Sequence, residues 1–106
     1  MSLRMLAVPL AAAAALSTTP PALAQDAASL QTAALAATCA NCHGTQGRTT
    51  GTALPALAGM PQEAMLAQLR AFKSGARPAT IMHQLSKGYT DAQLEQIAGY
   101  FARQPR

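Results

Sequence analysis

The chain has 106 residues, half of them hydrophobic by count, but 26 are alanine, one is valine and none is tryptophan. That length argues against a multidomain protein, the lack of valine disfavours a sheet-rich fold, and two cysteines are too few for a disulfide scaffold. The net charge of +4, eight Lys and Arg against four Asp and Glu, is too mild for a nucleic-acid binder.

Arg4 supplies a positive n-region, and Met5 to Leu16 form an almost uninterrupted apolar run. Ser17, Thr18, Thr19, Pro20 and Pro21 break it, and Ala22-Leu23-Ala24 offers an A-x-A cleavage site. This order predicts a secretory signal peptide over residues 1–24, cleaved after Ala24, and an exported, periplasmic domain over 25–106. An apolar run of about a dozen residues is short of the roughly 20 a membrane span needs, and the proline pair would interrupt a longer helix. No cysteine follows the site to carry a lipid anchor, so no membrane attachment is expected after cleavage.

The 82 residues from Gln25 onward hold only 17 larger apolar side chains (Leu, Ile, Met, Phe and Tyr). A domain that small rarely stabilises itself by packing alone, so something besides side chains is expected to complete the core. Losing Arg4 leaves seven basic residues against four acidic ones. Arg48, Arg70, Lys73, Arg77 and Lys87 are candidates for a basic face that steers an acidic partner; a scattered, solvated surface is the alternative.

Three helical patterns follow in chain order. The first runs from about Ala27 to Ala40, with Leu30, Ala34 and Ala37 spaced to share one face. The second follows Pro61, a favoured first-turn residue; Met65, Leu66, Leu69 and Phe72 recur at helical spacing, and Gly75 closes it. The third starts at Thr90, where Thr90-Asp91-Ala92-Gln93 is a capping-box pattern. Its stripe is Leu94, Ile97, Ala98 and Phe101, and Pro105 marks its end. Long loops lie between, Gly44 to Met60 and Ala76 to Tyr89, the latter with a short helical turn around Ile81 to Leu85.

At the end of the first helix stands Cys39-Ala40-Asn41-Cys42-His43, the C-x-x-C-H pattern of covalent c-type haem attachment. Two cysteines three apart at a helix end reach both vinyl groups on one edge of a porphyrin and form thioethers. The adjacent histidine then becomes the proximal iron ligand. A thioredoxin-type pair would need a surrounding βαβ pattern, which is missing. Half a zinc site would need a second cysteine pair, and only His83 offers another strong ligand. A plain disulfide leaves the neighbouring histidine without a role. Haem would also supply the apolar body that the thin core lacks.

A second axial ligand should come from the C-terminal half. The candidates are Met60, Met65, Met82 and His83, with an open site as a further possibility. Met65 shares its stripe with Leu69, which suits core packing, and Met60 is placed to meet a haem edge. Met82 and His83 are neighbours, so both cannot face the iron. Thioether ligation gives the higher potential and a second histidine the lower.

The chain from Gln25 onward resembles the class I cytochromes c. Besides Cys39-Ala40-Asn41-Cys42-His43-Gly44, it shows Leu54-Pro55-Ala56-Leu57-Ala58-Gly59, Phe72-Lys73-Ser74-Gly75-Ala76-Arg77, Ile81-Met82 and Ala98-Gly99-Tyr100-Phe101. The resemblance implies a small all-α fold of about three main helices and long loops wrapped around one covalent haem c. It implies Met82 as the distal iron ligand, and Pro55 as the residue whose carbonyl accepts the other N–H of His43. It also implies first and last helices packed across each other near Gly99 and Tyr100. The segment Ala79 to Asp91 is similar to the cytochrome subunit of flavocytochrome c sulfide dehydrogenase, which takes electrons from a flavin in a partner chain.

The function expected is one-electron transfer through a haem ligated by His43 and Met82. The four acidic residues, Asp26, Glu63, Asp91 and Glu95, include no evident catalytic pair, so the chain itself is not expected to be an enzyme. Its partners would be redox proteins, either a flavoprotein sulfide dehydrogenase of which it is the electron-accepting subunit, or respiratory partners that it reaches by diffusion. A haem enzyme or gas sensor would require Met82 to be off the iron. A thiol oxidoreductase would require free, reactive cysteines.

Overall fold

The structure, a computed structural model, describes residues 22–106, with side chains from Ala27 onward. The described residues form four α-helices and no strand: α1 (Ala22–His43), α2 (Gln62–Ser74), α3 (Met82–Lys87) and α4 (Asp91–Ala102). A single 3₁₀ turn, Thr45–Gly47, follows α1. Most of the expected signal peptide lies outside the described residues; Ala22 to Ala24 belong to the first turn of α1.

Local chemistry sets the ends of α2 and α4. Pro61 precedes α2, and Gly75 ends it in a left-handed conformation (φ 82°) with its N–H bonded to the Phe72 carbonyl. At α4 the Thr90 hydroxyl accepts the Gln93 N–H at 3.2 Å and the Gln93 side chain accepts the Thr90 N–H at 2.8 Å, a complete capping box. The turn expected around Ile81 to Leu85 is the short helix α3.

The core is a cluster of Ala36 from α1, Met65 and Leu66 from α2, and Leu94, Ile97, Ala98 and Phe101 from α4. Helix α4 packs against both α1 and α2, and α3 packs against α2. Gly99 is buried, and a Cβ there would meet the Gln62 and Arg103 side chains at 3.4 Å. The predicted face of α1 needs correction. Leu30 is 69% exposed and Ala34 and Ala37 are exposed, whereas Ala36 is buried, with Leu35 and Cys39 packed beside it. Alanines occur on every side of this helix, so their spacing carries no phase. The stripe continuing through Cys39 to His43 is the one that turns inward.

The loop from Gly44 to Met60 meets α4 at Gly47 and Gly59, while residues 50–56 are exposed. Gly47 is buried, and its carbonyl accepts the N–H groups of Leu57 and Ala58 at 2.8 and 3.1 Å. The Gly59 N–H donates to the Phe101 carbonyl at 2.9 Å. These bonds return the chain to the end of α1 and deliver Pro55 to His43.

The expected basic face is divided. Arg70 pairs with Glu95 at 3.0 Å and Lys73 with Asp91 at 2.7 Å. Arg48 bonds the Pro105 carbonyl at 3.1 Å, and Arg77 stacks over the Phe72 ring at 4.7 Å. Arg70 and Lys73 therefore serve contacts within the fold, and their charge is largely balanced locally.

Candidate haem site

Cys39, Cys42 and His43 occupy positions i, i+3 and i+4 at the end of α1, which is one face of a helix. All three line a cavity of about 590 Å³ between α1, the returning loop, α2 and α3. Leu54, Leu57, Met60, Met65, Leu69 and Phe72 supply apolar walls. Cys39 is half-buried and Cys42 exposed, and neither forms a disulfide. Burial pushes the Cys39 thiol above its ordinary value, partly offset by the Thr38 hydroxyl.

His43 is buried, and its Nδ1 lies 2.8 Å from the Pro55 carbonyl oxygen. A carbonyl only accepts, so Nδ1 carries the proton and Nε2 keeps its lone pair for a metal. The proline carbonyl thus sets both the tautomer and the ring orientation of His43.

Across the fold, Met82 lines the same cavity from the first residue of α3, while His83 does not line it. The Nδ1 of His83 is buried without a partner, as is the hydroxyl of Ser86, which does line the cavity. Met65 is buried in the core and also forms part of the cavity wall, and Met60 is partly buried and lines the same cavity.

Sequence reasoning did not single out Tyr89 or Thr38. The Tyr89 hydroxyl and Thr38 Oγ1 are 2.6 Å apart, and the Tyr89 carbonyl accepts a bond from Lys73 Nζ at 2.8 Å. Tyr89 also lines the cavity, so the turn between α3 and α4 is tied to α1 beside Cys39 and to α2. Partners separated by 51 residues leave no local pattern by which to find them.

The residues fit a porphyrin: a largely apolar slot, two thiols on one wall, an oriented imidazole beside them, and a thioether in the same lining. An all-α shell with a C-x-x-C-H helix end in its cavity wall defines a protein of the covalent haem class. The sequence model of the cytochrome c family matches residues 27–103, and the chain belongs to that family. Its cofactor is covalently bound haem c with iron, and its Cys39, Cys42 and His43 form the family's attachment motif.

Among curated relatives, the chain is similar to the cytochrome subunit of sulfide dehydrogenase of Chlorobaculum tepidum, 39% identical over 67 residues, which is 63% of this chain and 60% of that protein. It is 40% identical over 81 residues to cytochrome c4 of Pseudomonas aeruginosa, covering 76% of this chain and 39% of that one. It is 30% identical over 70 residues to cytochrome c-554(548) of Halomonas halodenitrificans, covering 63% of this chain and 84% of that one. The chain thus spans less than two thirds of the length of the first two relatives.

Proposed function

We propose that this electron-transfer cytochrome is the electron-accepting subunit of a flavoprotein sulfide dehydrogenase in the periplasm. Cys39 and Cys42 would carry the thioethers and His43 and Met82 would hold the iron, while the Pro55 carbonyl orients His43. When bound, the haem supplies one-electron chemistry between ferrous and ferric iron. The protein would hold the iron through His43 and Met82 and surround the porphyrin with a largely apolar lining, with Cys42 at the exposed side. Catalysis on sulfide belongs to the flavin-bearing partner. The observation that carries the subunit reading is the similarity to the cytochrome subunit of sulfide dehydrogenase of Chlorobaculum tepidum, 39% identical over 67 residues. The name of that relative supplies the partner's class, a sulfide dehydrogenase.

Export is part of this proposal: removal of residues 1–24 leaves α1 starting at Gln25. Among the described residues no helix is long and apolar enough to cross a membrane. Gel filtration of the native periplasmic protein, with haem and flavin absorbance recorded together, tests the reading. Haem and flavin co-eluting at several times the size of the chain supports the subunit. Haem alone, near the size of the chain, supports a freely diffusing carrier. N-terminal sequencing of the same material should begin at Gln25.

A further inference from the structure

Ser86 is 1% exposed, lines the cavity and has a hydroxyl without a hydrogen-bond partner. A buried unsatisfied hydroxyl calls for an explanation, because leaving it unpaired is costly. A serine inside a helix ordinarily returns its hydroxyl to the carbonyl four residues back, here that of Met82, and Ser86 does not. It stands one turn after Met82 on the same face of α3, and side chains four apart on a helix are neighbours. His83, three residues before Ser86, also has a buried, unpaired nitrogen, but its side chain does not line the cavity. Of the two orphaned groups, only the Ser86 hydroxyl belongs to a residue of the cavity lining.

We propose that Ser86 is a positioning residue whose hydroxyl donates to the Met82 thioether when that sulfur is the iron ligand; the inference rests on Met82 being the distal ligand. The methionine side chain is flexible enough to bring its sulfur within reach, and a thioether is a weak acceptor. Such a bond holds the sulfur in one orientation. It also draws electron density from it, which makes it a poorer donor to ferric iron and raises the reduction potential.

The test compares the haem-loaded wild type with Ser86→Ala, Ser86→Thr and His83→Ala. Midpoint potential and the sulfur-to-iron charge-transfer band of the ferric protein are the readouts. Ser86→Ala should keep the band, move its position and lower the midpoint. Ser86→Thr, which retains the hydroxyl, should return both toward wild type, and His83→Ala should leave both in place. A second readout uses the unmodified protein, so that the test does not depend on an added methyl fitting this buried site. Proton NMR of its ferrous form should show a slowly exchanging Ser86 hydroxyl proton close to the Met82 methyl. A band present in the wild type but unmoved in Ser86→Ala, with an unchanged midpoint, overturns the proposal while leaving Met82 on the iron. A wild type without the band overturns the Met82 ligation, and the proposal with it.

Discussion

Gly47 has φ 79°, and a Cβ there would stand 2.8 Å from Phe101 Cδ1 and 2.9 Å from both Leu57 Cβ and Ala58 N. Gly47→Ala combines an unfavourable backbone conformation with a clash against the main chain that delivers Pro55 to His43. It should destabilise the protein by on the order of 2 kcal/mol or more, read as a lower denaturant midpoint. Gly44 is under the same restriction: its Cβ would fall on the Arg48 carbonyl, so the residue after the C-x-x-C-H must also lack a side chain. Met82→Ala removes the thioether from the cavity and, with Met82 as the proposed iron ligand, would leave the distal position open. The midpoint potential should fall, and carbon monoxide should bind the ferrous protein; an unchanged potential and spectrum would defeat the assignment of Met82.

Between elements, the side of the cavity carrying Met82 is tied to the side carrying Cys39 through the Thr38–Tyr89 hydrogen bond. Tyr89→Phe keeps the ring in the cavity lining and removes only that link. A loss of about 1 kcal/mol is expected in chemical denaturation, with the proximal haem signature retained. The turn is also held to α2 by Lys73, which bonds both the Tyr89 carbonyl and the Asp91 carboxylate. Hydrogen bonding to Lys73, then its charge, holds the Asp91 carboxyl below its ordinary value. A lowered pKa in the folded state means this contribution is fully present above the ordinary carboxylate pKa, about 3.9, and is lost as pH falls through the lowered value. Denaturant midpoints measured from pH 5 to pH 2.5 should therefore fall less steeply in Asp91→Asn than in the wild type. The difference should be small, because the Asp91 carboxylate is largely exposed.

For the whole molecule, the seven-residue core cluster sits beside a cavity of about 590 Å³, so a large part of the interior is shaped for the cofactor. Cofactor binding to the folded chain alone stabilises that state by mass action, and a covalent link makes the gain permanent. A variant lacking both Cys39 and Cys42, expressed without haem, should lose most of its far-UV helical signal. Retention of native helicity would show that the side-chain core suffices by itself.

The attachment motif, the starts and ends of α2 and α4, and the inward face of α4 were legible because each depends on residues within one or two turns. A capping box, a left-handed glycine and two thiols three apart are local chemistry, and the sequence by itself determined them. The short helix α3 was legible only as a turn, and the phase of α1 was misread because alanine fits either a buried or an exposed face. Only the tertiary structure decided that Ala36 faces the core, that Gly47 lies under Phe101, and that Arg70 and Lys73 are paired within the fold. The same holds for Thr38 meeting Tyr89 and for the solitary hydroxyl of Ser86 in the cavity lining. Each depends on which distant segments come together, a property of packing between elements that no local spacing encodes.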